Sequence, residues 1–226
     1  LDLADDEDIE RARSMLSRPT PWGATRSAPP ATELRKWSEM DVTGGSKSWR
    51  VPEPSDTVVD GEEILLGGRT WLAIHTPGHT HDHLCLYDPA DGILLSGDHV
   101  LPTIPPHING IGPMDDPLAT FFRSLERMKE LPGLQHVLPA HGHPFTNVAE
   151  RVDHIIDHHG ERLDVIREAG EDMGSGTVEA FMQRLFKERS WGDMAASETY
   201  AHLEHLRILG QATRDEVAGQ TMYSTS

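Results

Sequence analysis

Three short segments of this 226-residue sequence place histidine and aspartate directly after apolar runs of strand length. They read HTPGHTHDH at 75–83, SGDH at 96–99 and PAHGH at 139–143. Imidazole nitrogens and carboxylate oxygens are ligands suited to zinc, with manganese or iron also accommodated. Ligands at strand ends rest on a hydrogen-bonded scaffold and leave a mouth open to substrate. The pattern therefore predicts a metal site at one edge of a sheet.

The elements that must position these segments form a series of short strands followed by helices. Apolar runs lie at 58–59, 64–66, 71–74, 84–87 and 93–95, separated by turn formers such as Gly67-Gly68. This alternation predicts a largely antiparallel sheet. Helices are expected over 116–131 and 147–169, with one more buried strand at 135–138 between them.

The two ends of the chain differ from this middle part. Helices are expected at 5–18 and 32–40, within or beside a loop-rich excursion over 19–56 that is rich in Pro, Gly and Ser. After residue 176, amphipathic helices at 177–189 and 195–209 precede a predicted hairpin over 211–224. Two helices followed by a two-stranded wing resemble a winged helix. We therefore divide the chain into a main domain, 1–170, and a winged-helix-like tail, 171–226.

Composition and charge narrow the class of protein. The chain carries 20 Lys and Arg against 37 Asp and Glu, a formal charge of −17. The stretch 150–226 holds 8 basic and 15 acidic residues, a net of −7, which argues against nucleic acid as a partner without excluding it. No apolar run is long enough for a membrane helix, and the single cysteine, Cys85, excludes an internal disulfide. A soluble, cytoplasmic protein that acts on a small molecule is the expectation.

The segments HTPGH (75–79), LLSGDHV (94–100) and LPAHGHP (138–144) resemble the later metal motifs of the metallo-β-lactamase-fold hydrolases. The resemblance implies an α/β fold, an αβ/βα sandwich with a two-metal site along one edge. It also implies that His79 is the last ligand of the first zinc, that Asp98 bridges both metals and that His141 binds the second. Two zinc ions per intact site are expected, with manganese or iron as alternatives. The tail resembles the one found in the β-lactamase-like branch of this family.

Other histidines receive lesser roles. We expect His83, His99 and His143 to orient the metal ligands, as hydrogen-bonding partners of metal sites commonly do. His107 lies in a Pro-rich loop and could reach the cleft. The remaining candidates are interpreted as solvated side chains, namely His154, His158 and His159 on the long helix and His202 and His205 in the tail.

The sequence departs from the family pattern in one respect. The family's first motif, His-x-His-x-Asp-His, does not precede His75. It would supply two ligands to the first metal, and an Asp and a His to the second, so we expect a missing upstream segment. That segment would also carry the general base, which is therefore not assigned to any residue here. The run His79–His83 is one residue short of the motif and is interpreted as coincidence.

Three functional hypotheses remain open. The first is a metal-dependent hydrolase in which a metal-bound hydroxide attacks an ester, thioester or lactone, although this chain alone would be inactive without the first motif. The second is an endoribonuclease or phosphodiesterase with the same metal centre. The third is a truncated, non-catalytic relic of the fold that serves as a binding or scaffold protein. The helices of 177–209 are the natural candidate for a homodimer face.

Overall fold

The computed structural model describes residues 6–24, 28–39 and 56–226. Contacts divide the chain into two compact units, residues 1–57 and 58–226. In the first unit, helices α1 (Asp6–Leu16) and α2 (Ala31–Glu39) bury a small apolar cluster of Ile9, Ala12 and Leu34. Both predicted helices are therefore confirmed, while much of the loop-rich excursion over 19–56 lies outside the described residues.

The second unit is built on a five-stranded sheet. Its strands are β1 (Glu63–Leu66), β2 (Arg69–His75), β3 (Leu84–Asp88), β4 (Ile93–Gly97) and β5 (His136–Pro139), in that spatial order. The first four pair antiparallel, as the turn pattern predicts. β5 pairs parallel to β4, because helix α3 (Pro117–Lys129) carries the chain back across the sheet between them. The strand predicted at 58–59 is wrong: that pair is exposed loop.

The helix after β4 and the helix after β5 both begin within one residue of their predicted starts at 116 and 147. Asp116 caps α3 by accepting from the backbone N–H of Ala119, and Pro117 occupies the first turn, where its missing N–H costs nothing. The apolar stripe of α3 is fully buried and consists of Leu118, Phe121, Leu125 and Met128. Helix α4 (Val148–Met173) packs against α3. It continues past residue 170, where the sequence predicts a domain boundary, and that boundary stays a prediction.

The C-terminal elements pack in the same compact unit as the sheet. They are helix α5 (Val178–Leu185), a short 3-10 turn (Glu188–Ser190), helix α6 (Asp193–Ile208) and the hairpin β6 (Ala212–Val217) and β7 (Gln220–Thr225). The order of helices and hairpin is the predicted one, and the winged-helix likeness stays a prediction. α6 is buried continuously from Ala195 to Leu206 because α3, α4, α5 and the hairpin surround it. Among the described helices, none is both long and apolar enough to cross a membrane.

Candidate metal centre

The three polar segments meet at one edge of the sheet because of strand direction. β2 and β4 both pair antiparallel to β3, so they run the same way, and β5 runs parallel to β4. The carboxyl ends of β2, β4 and β5 therefore share one edge, and each is followed by one of the segments. The predicted convergence of the three segments is thus explained by the sheet topology.

Asp98 lies between the two histidines that the sequence pairs with it. His79 Nε2 is 4.0 Å from Asp98 Oδ2, and His141 Nε2 is 3.5 Å from Asp98 Oδ1. Each histidine thus faces a different carboxylate oxygen. The Asp98 side chain is about one-third exposed and His141 is exposed, so the group opens to solvent. This arrangement suits a carboxylate that contacts two cations at once.

The ring of His79 is oriented by the loop that follows β4. Its Nδ1 lies 2.6 Å from the carbonyl oxygen of His107, which can only accept. Nδ1 therefore carries the proton, and Nε2 keeps a lone pair on the side of Asp98. A backbone carbonyl on the far ring nitrogen is a frequent device for fixing a metal-binding histidine. The sequence suggests that His107 could reach the cleft. In the structure, the backbone carbonyl of His107 contacts the ring of His79.

A hydrogen bond from its backbone N–H holds Asp98 in place. Its N–H donates to His83 Nε2 at 3.2 Å, so His83 must carry its proton on Nδ1, which lies 2.7 Å from Thr76 Oγ1. Burial, together with the neighbouring His79, lowers the pKa of His83 and keeps the ring neutral, as an acceptor must be. Gly97 makes this approach possible, since a Cβ there would lie 2.7 Å from His83 Nε2. These contacts connect His83 to the Asp98 backbone, and the orienting role expected for His83 stays a prediction.

The loop that carries His79 is fixed against α3. Ser124 Oγ donates to the Pro77 carbonyl at 2.8 Å, and Arg127 Nη1 donates to the His75 carbonyl at 2.8 Å. Gly78 rests directly on Phe121, where any Cβ would come within 2.4 Å of the Phe121 Cβ. Contacts with α3 therefore fix the position of the loop that carries His79.

These residues fit a divalent metal. Asp98 Oδ1 is buried and has no hydrogen-bond partner among the described residues. An unpaired carboxylate oxygen that faces an imidazole nitrogen costs free energy unless a cation or water satisfies it. Two imidazoles and one carboxylate form a donor set typical of zinc. The described residues thus bring three candidate ligands, His79, Asp98 and His141, to this edge.

The other two histidines expected near the ligands behave differently. His99 is fully buried, packs edge-on against Phe121 with ring centroids 5.3 Å apart, and has no hydrogen bond from either ring nitrogen within the described part of the chain. Burial lowers its pKa to about 3. His143 is exposed. No contact ties either ring to the three ligands, so their orienting roles stay predictions.

A second histidine cluster lies between α4 and α6 and overturns the solvated interpretation of several residues. His159 and His202 are fully buried, and His205 is 7% exposed beside Asp116, 2.9 Å from its carboxylate. His158 is half-buried, whereas His154 is exposed as expected. The correction has a physical cause: α6 and α4 face each other, so polar side chains at their contact lose water.

The ligand-type atoms of His159, Glu198 and His202 lie within 4.8 Å of one another. Most of their ligand-type atoms already have hydrogen bonds: His159 Nδ1 is 3.1 Å from His202 Nε2, and Glu198 accepts from Arg162 and His107 at 3.0 and 3.1 Å. Among the described residues, the buried His159 Nε2 has no hydrogen-bond partner. The guanidinium on the carboxylate also repels a cation. We therefore interpret this cluster as a hydrogen-bonded core and not as a second metal site.

Sequence reasoning missed Thr76, Arg162 and Glu198, which support the site without touching it. For His159 a signal was present, because it continues the buried stripe of Val152, Ile155, Leu163 and Ile166 at helical spacing. For Glu198 and His202 no such signal exists, since every residue around them on α6 is buried.

Fold and geometry together define an α/β protein with histidine and aspartate side chains of metal-binding type at the carboxyl edge of its sheet. Residues 18–141 match the family model of the metallo-beta-lactamase superfamily. The chain therefore belongs to this superfamily.

Two solved structures of similar proteins support the same superfamily. A metallo-beta-lactamase family protein from Thermus thermophilus is 29% identical, with a TM-score of 0.68 over 77% of this chain and 56% of its own. A beta-lactamase domain protein from Burkholderia ambifaria is 30% identical, with a TM-score of 0.71 over 77% and 54%.

Curated relatives include hydrolases. A hydroxyacylglutathione hydrolase from Idiomarina loihiensis is 30% identical over 60% of this chain and 53% of its own length. An atrochrysone carboxyl ACP thioesterase from Aspergillus fumigatus is 31% identical over 60% and 44%. The chain thus spans about half the length of these relatives. Their names support a hydrolase.

Proposed function

We propose that the whole protein is a metal-dependent hydrolase of a thioester or related acyl bond, with His79, Asp98 and His141 as metal ligands. The observation that carries this proposal is the placement of Asp98, whose two oxygens face two different imidazole nitrogens. The relatives named for acylglutathione hydrolysis and for ACP thioesterase activity favour a thioester within the ester, thioester and lactone class.

The residues of this chain have distinct tasks in such a reaction. A pair of divalent metals, zinc in the first instance, would supply Lewis-acid activation of water and polarise the acyl carbonyl. The chain holds His79 as the tautomer that leaves Nε2 free, through the His107 carbonyl. It fixes the backbone of Asp98 through His83 and so directs both carboxylate oxygens. None of these side chains is assigned as the general base.

The experiment compares Asp98→Ala with Asp82→Ala in the whole protein. Asp82 is an exposed aspartate of the same region whose side-chain partners are Thr80 and, at 3.9 Å, His81, so none of the three proposed ligands is among them. Metal content is measured by inductively coupled plasma mass spectrometry after purification without chelator, and hydrolysis is followed with acyl-thioester, ester and lactone probes.

We expect Asp98→Ala to lose bound metal and to lower turnover by about a thousandfold or more, since catalysis by a bound metal contributes several kcal/mol to transition-state stabilisation. Asp82→Ala should match the unaltered protein. Unchanged turnover in Asp98→Ala would contradict the assignment, and phosphodiester cleavage without acyl hydrolysis would contradict the substrate class.

A further inference from the structure

Hydrogen bonds to the ring and to the backbone carbonyl of one loop residue, His107, connect the C-terminal helices to His79. Arg162 on α4 donates Nη1 to Glu198 Oε1 on α6 at 3.0 Å. Glu198 Oε2 lies 3.1 Å from His107 Nδ1. The His107 carbonyl then accepts from His79 Nδ1 at 2.6 Å. A buried carboxylate thus connects, through one loop residue, to the far side of a candidate ligand.

We propose that Glu198 is a positioning residue for His79: it anchors His107, whose carbonyl holds the His79 ring with Nδ1 protonated and Nε2 facing Asp98. The consequence for metal binding rests on the proposed function, but the orientation of the ring does not. The C-terminal helices would then be a working part of the site and not an appendage.

The loop between β4 and α3 needs such an anchor. Residues 101–116 contain no helix or strand, so contacts alone determine where the His107 carbonyl lies. Two adjacent residues of α6 hold it: Glu198 binds the His107 ring, and Ser197 Oγ accepts from the Gly110 N–H at 3.1 Å and donates to Asn109 Oδ1 at 2.6 Å. Gly110 lies so close to α6 that a Cβ would meet the Ser197 carbonyl at 2.6 Å.

Glu198 suits this role because it stays ionised inside the protein. Burial raises its pKa, but the hydrogen bond from His107 and the charge of Arg162 outweigh burial, so the pKa lies below its usual value. An ionised carboxylate can only accept, which requires His107 Nδ1 to carry a proton. His202 reinforces the position of Glu198, since its Nδ1 donates to the Glu198 backbone carbonyl at 2.7 Å.

The same helix supplies a matched control. Glu204 is 7% exposed and Glu198 is 8% exposed, and both accept hydrogen bonds from arginine. Glu204 also accepts from Tyr223 Oη at 2.6 Å, so its contacts lie toward the hairpin and not toward the loop. Glu204→Gln therefore removes an equally buried charge from α6 without altering the path to His79.

The test is the tautomer of His79, read from the ring nitrogen shifts of the ¹⁵N-histidine-labelled, metal-free 226-residue chain. The unaltered chain and Glu204→Gln should show protonated Nδ1. Glu198→Gln and His107→Ala should show a mixture of both tautomers, and His107→Gln, which keeps a donor for Glu198, should restore much of the original signal. Unchanged His79 shifts in folded Glu198→Gln and His107→Ala would overturn the proposal.

A zinc titration against a chelating dye separates this inference from the proposed function. Loss of a partner that orients a metal ligand lowers metal affinity by about 10- to 100-fold, and we expect about tenfold for Glu198→Gln with no change for Glu204→Gln. If the tautomer changes as expected while the whole protein, titrated in the same way, binds no zinc, the positioning role stands and the metal-dependent function fails. Normal zinc affinity in Glu198→Gln with an unchanged tautomer overturns the positioning role alone.

Discussion

The two histidine clusters of this protein use the same side chain in opposite ways. At the sheet edge, His79 engages a backbone carbonyl with one ring nitrogen and leaves the other facing a carboxylate near solvent. Between α4 and α6, His159 and His202 hydrogen-bond to each other and are fully buried. A histidine suits a metal site when the fold satisfies one ring nitrogen and leaves the other facing a second ligand near solvent, whereas the open Nε2 of His159 is buried between helices. Clustering of histidines in the sequence or in space does not by itself make a metal site.

The largest effect that separates the clusters is their response to acid. Burial lowers the pKa of His159 to about 2 and that of His202 to about 4, against about 6.5 in an unfolded chain. Below pH 6.5 the unfolded state therefore binds more protons, so the free energy of unfolding falls as pH falls. Each histidine contributes roughly 1.4 kcal/mol per pH unit in that window. Between pH 6.5 and 4.5 the two histidines together should lower the free energy of unfolding by on the order of 4 kcal/mol.

Urea unfolding at a series of pH values measures this loss. The double variant His159→Leu/His202→Leu should have a flatter dependence between pH 6.5 and 4.5, because neither side chain can take up a proton. His154→Leu, on the exposed side of α4, serves as the control and should keep the original slope. Equal slopes in all three proteins would show that the buried pair does not govern acid stability.

The next effect sharpens the distinction within the sheet edge itself. His141 and His143 are neighbours, both exposed, but His141 alone faces Asp98. Loss of one ligand from a metal site should lower zinc affinity more than loss of a supporting partner, so we expect at least about a hundredfold for His141→Ala. His143→Ala should change affinity by less than about tenfold if it only orients a ligand. Isothermal titration with zinc measures both, and equal losses would contradict the difference in role.

The polar residues at the strand ends were predictable from the sequence, whereas the burial of polar residues on α6 was not. Apolar runs that end in His or Asp are local, and the antiparallel order brings their ends together, so His79, Asp98 and His141 could be grouped in advance. The alternation of strands and turns predicted the largely antiparallel sheet, whereas the α/β fold was implied by the family resemblance. Burial of His202 and Glu198 depends on α3, α4 and the hairpin surrounding α6. No local period encodes such a contact, which is why both were missed.

The smallest effect concerns the glycine that lets His83 reach Asp98. Gly97 and Gly67 both have positive φ, 51° and 60°, so alanine costs backbone strain of about 1–2 kcal/mol at either position. Only at Gly97 does the new Cβ meet a neighbour, His83 Nε2 at 2.7 Å, whereas Gly67 has open space around it. Gly97→Ala should therefore displace His83 and weaken its hydrogen bond with the Asp98 N–H.

Thermal unfolding and zinc titration of the two alanine variants resolve this contribution. Both should lower the free energy of unfolding, and Gly97→Ala should lower it by about 1 kcal/mol more because it strains the partly buried hydrogen bond between the Asp98 N–H and His83. Zinc affinity should fall about tenfold in Gly97→Ala and stay unchanged in Gly67→Ala, since only the former shifts a partner of a ligand. Equal zinc affinity in the two variants would mean that Asp98 holds its position without His83, and the difference between the two histidine clusters would then rest on His79 alone.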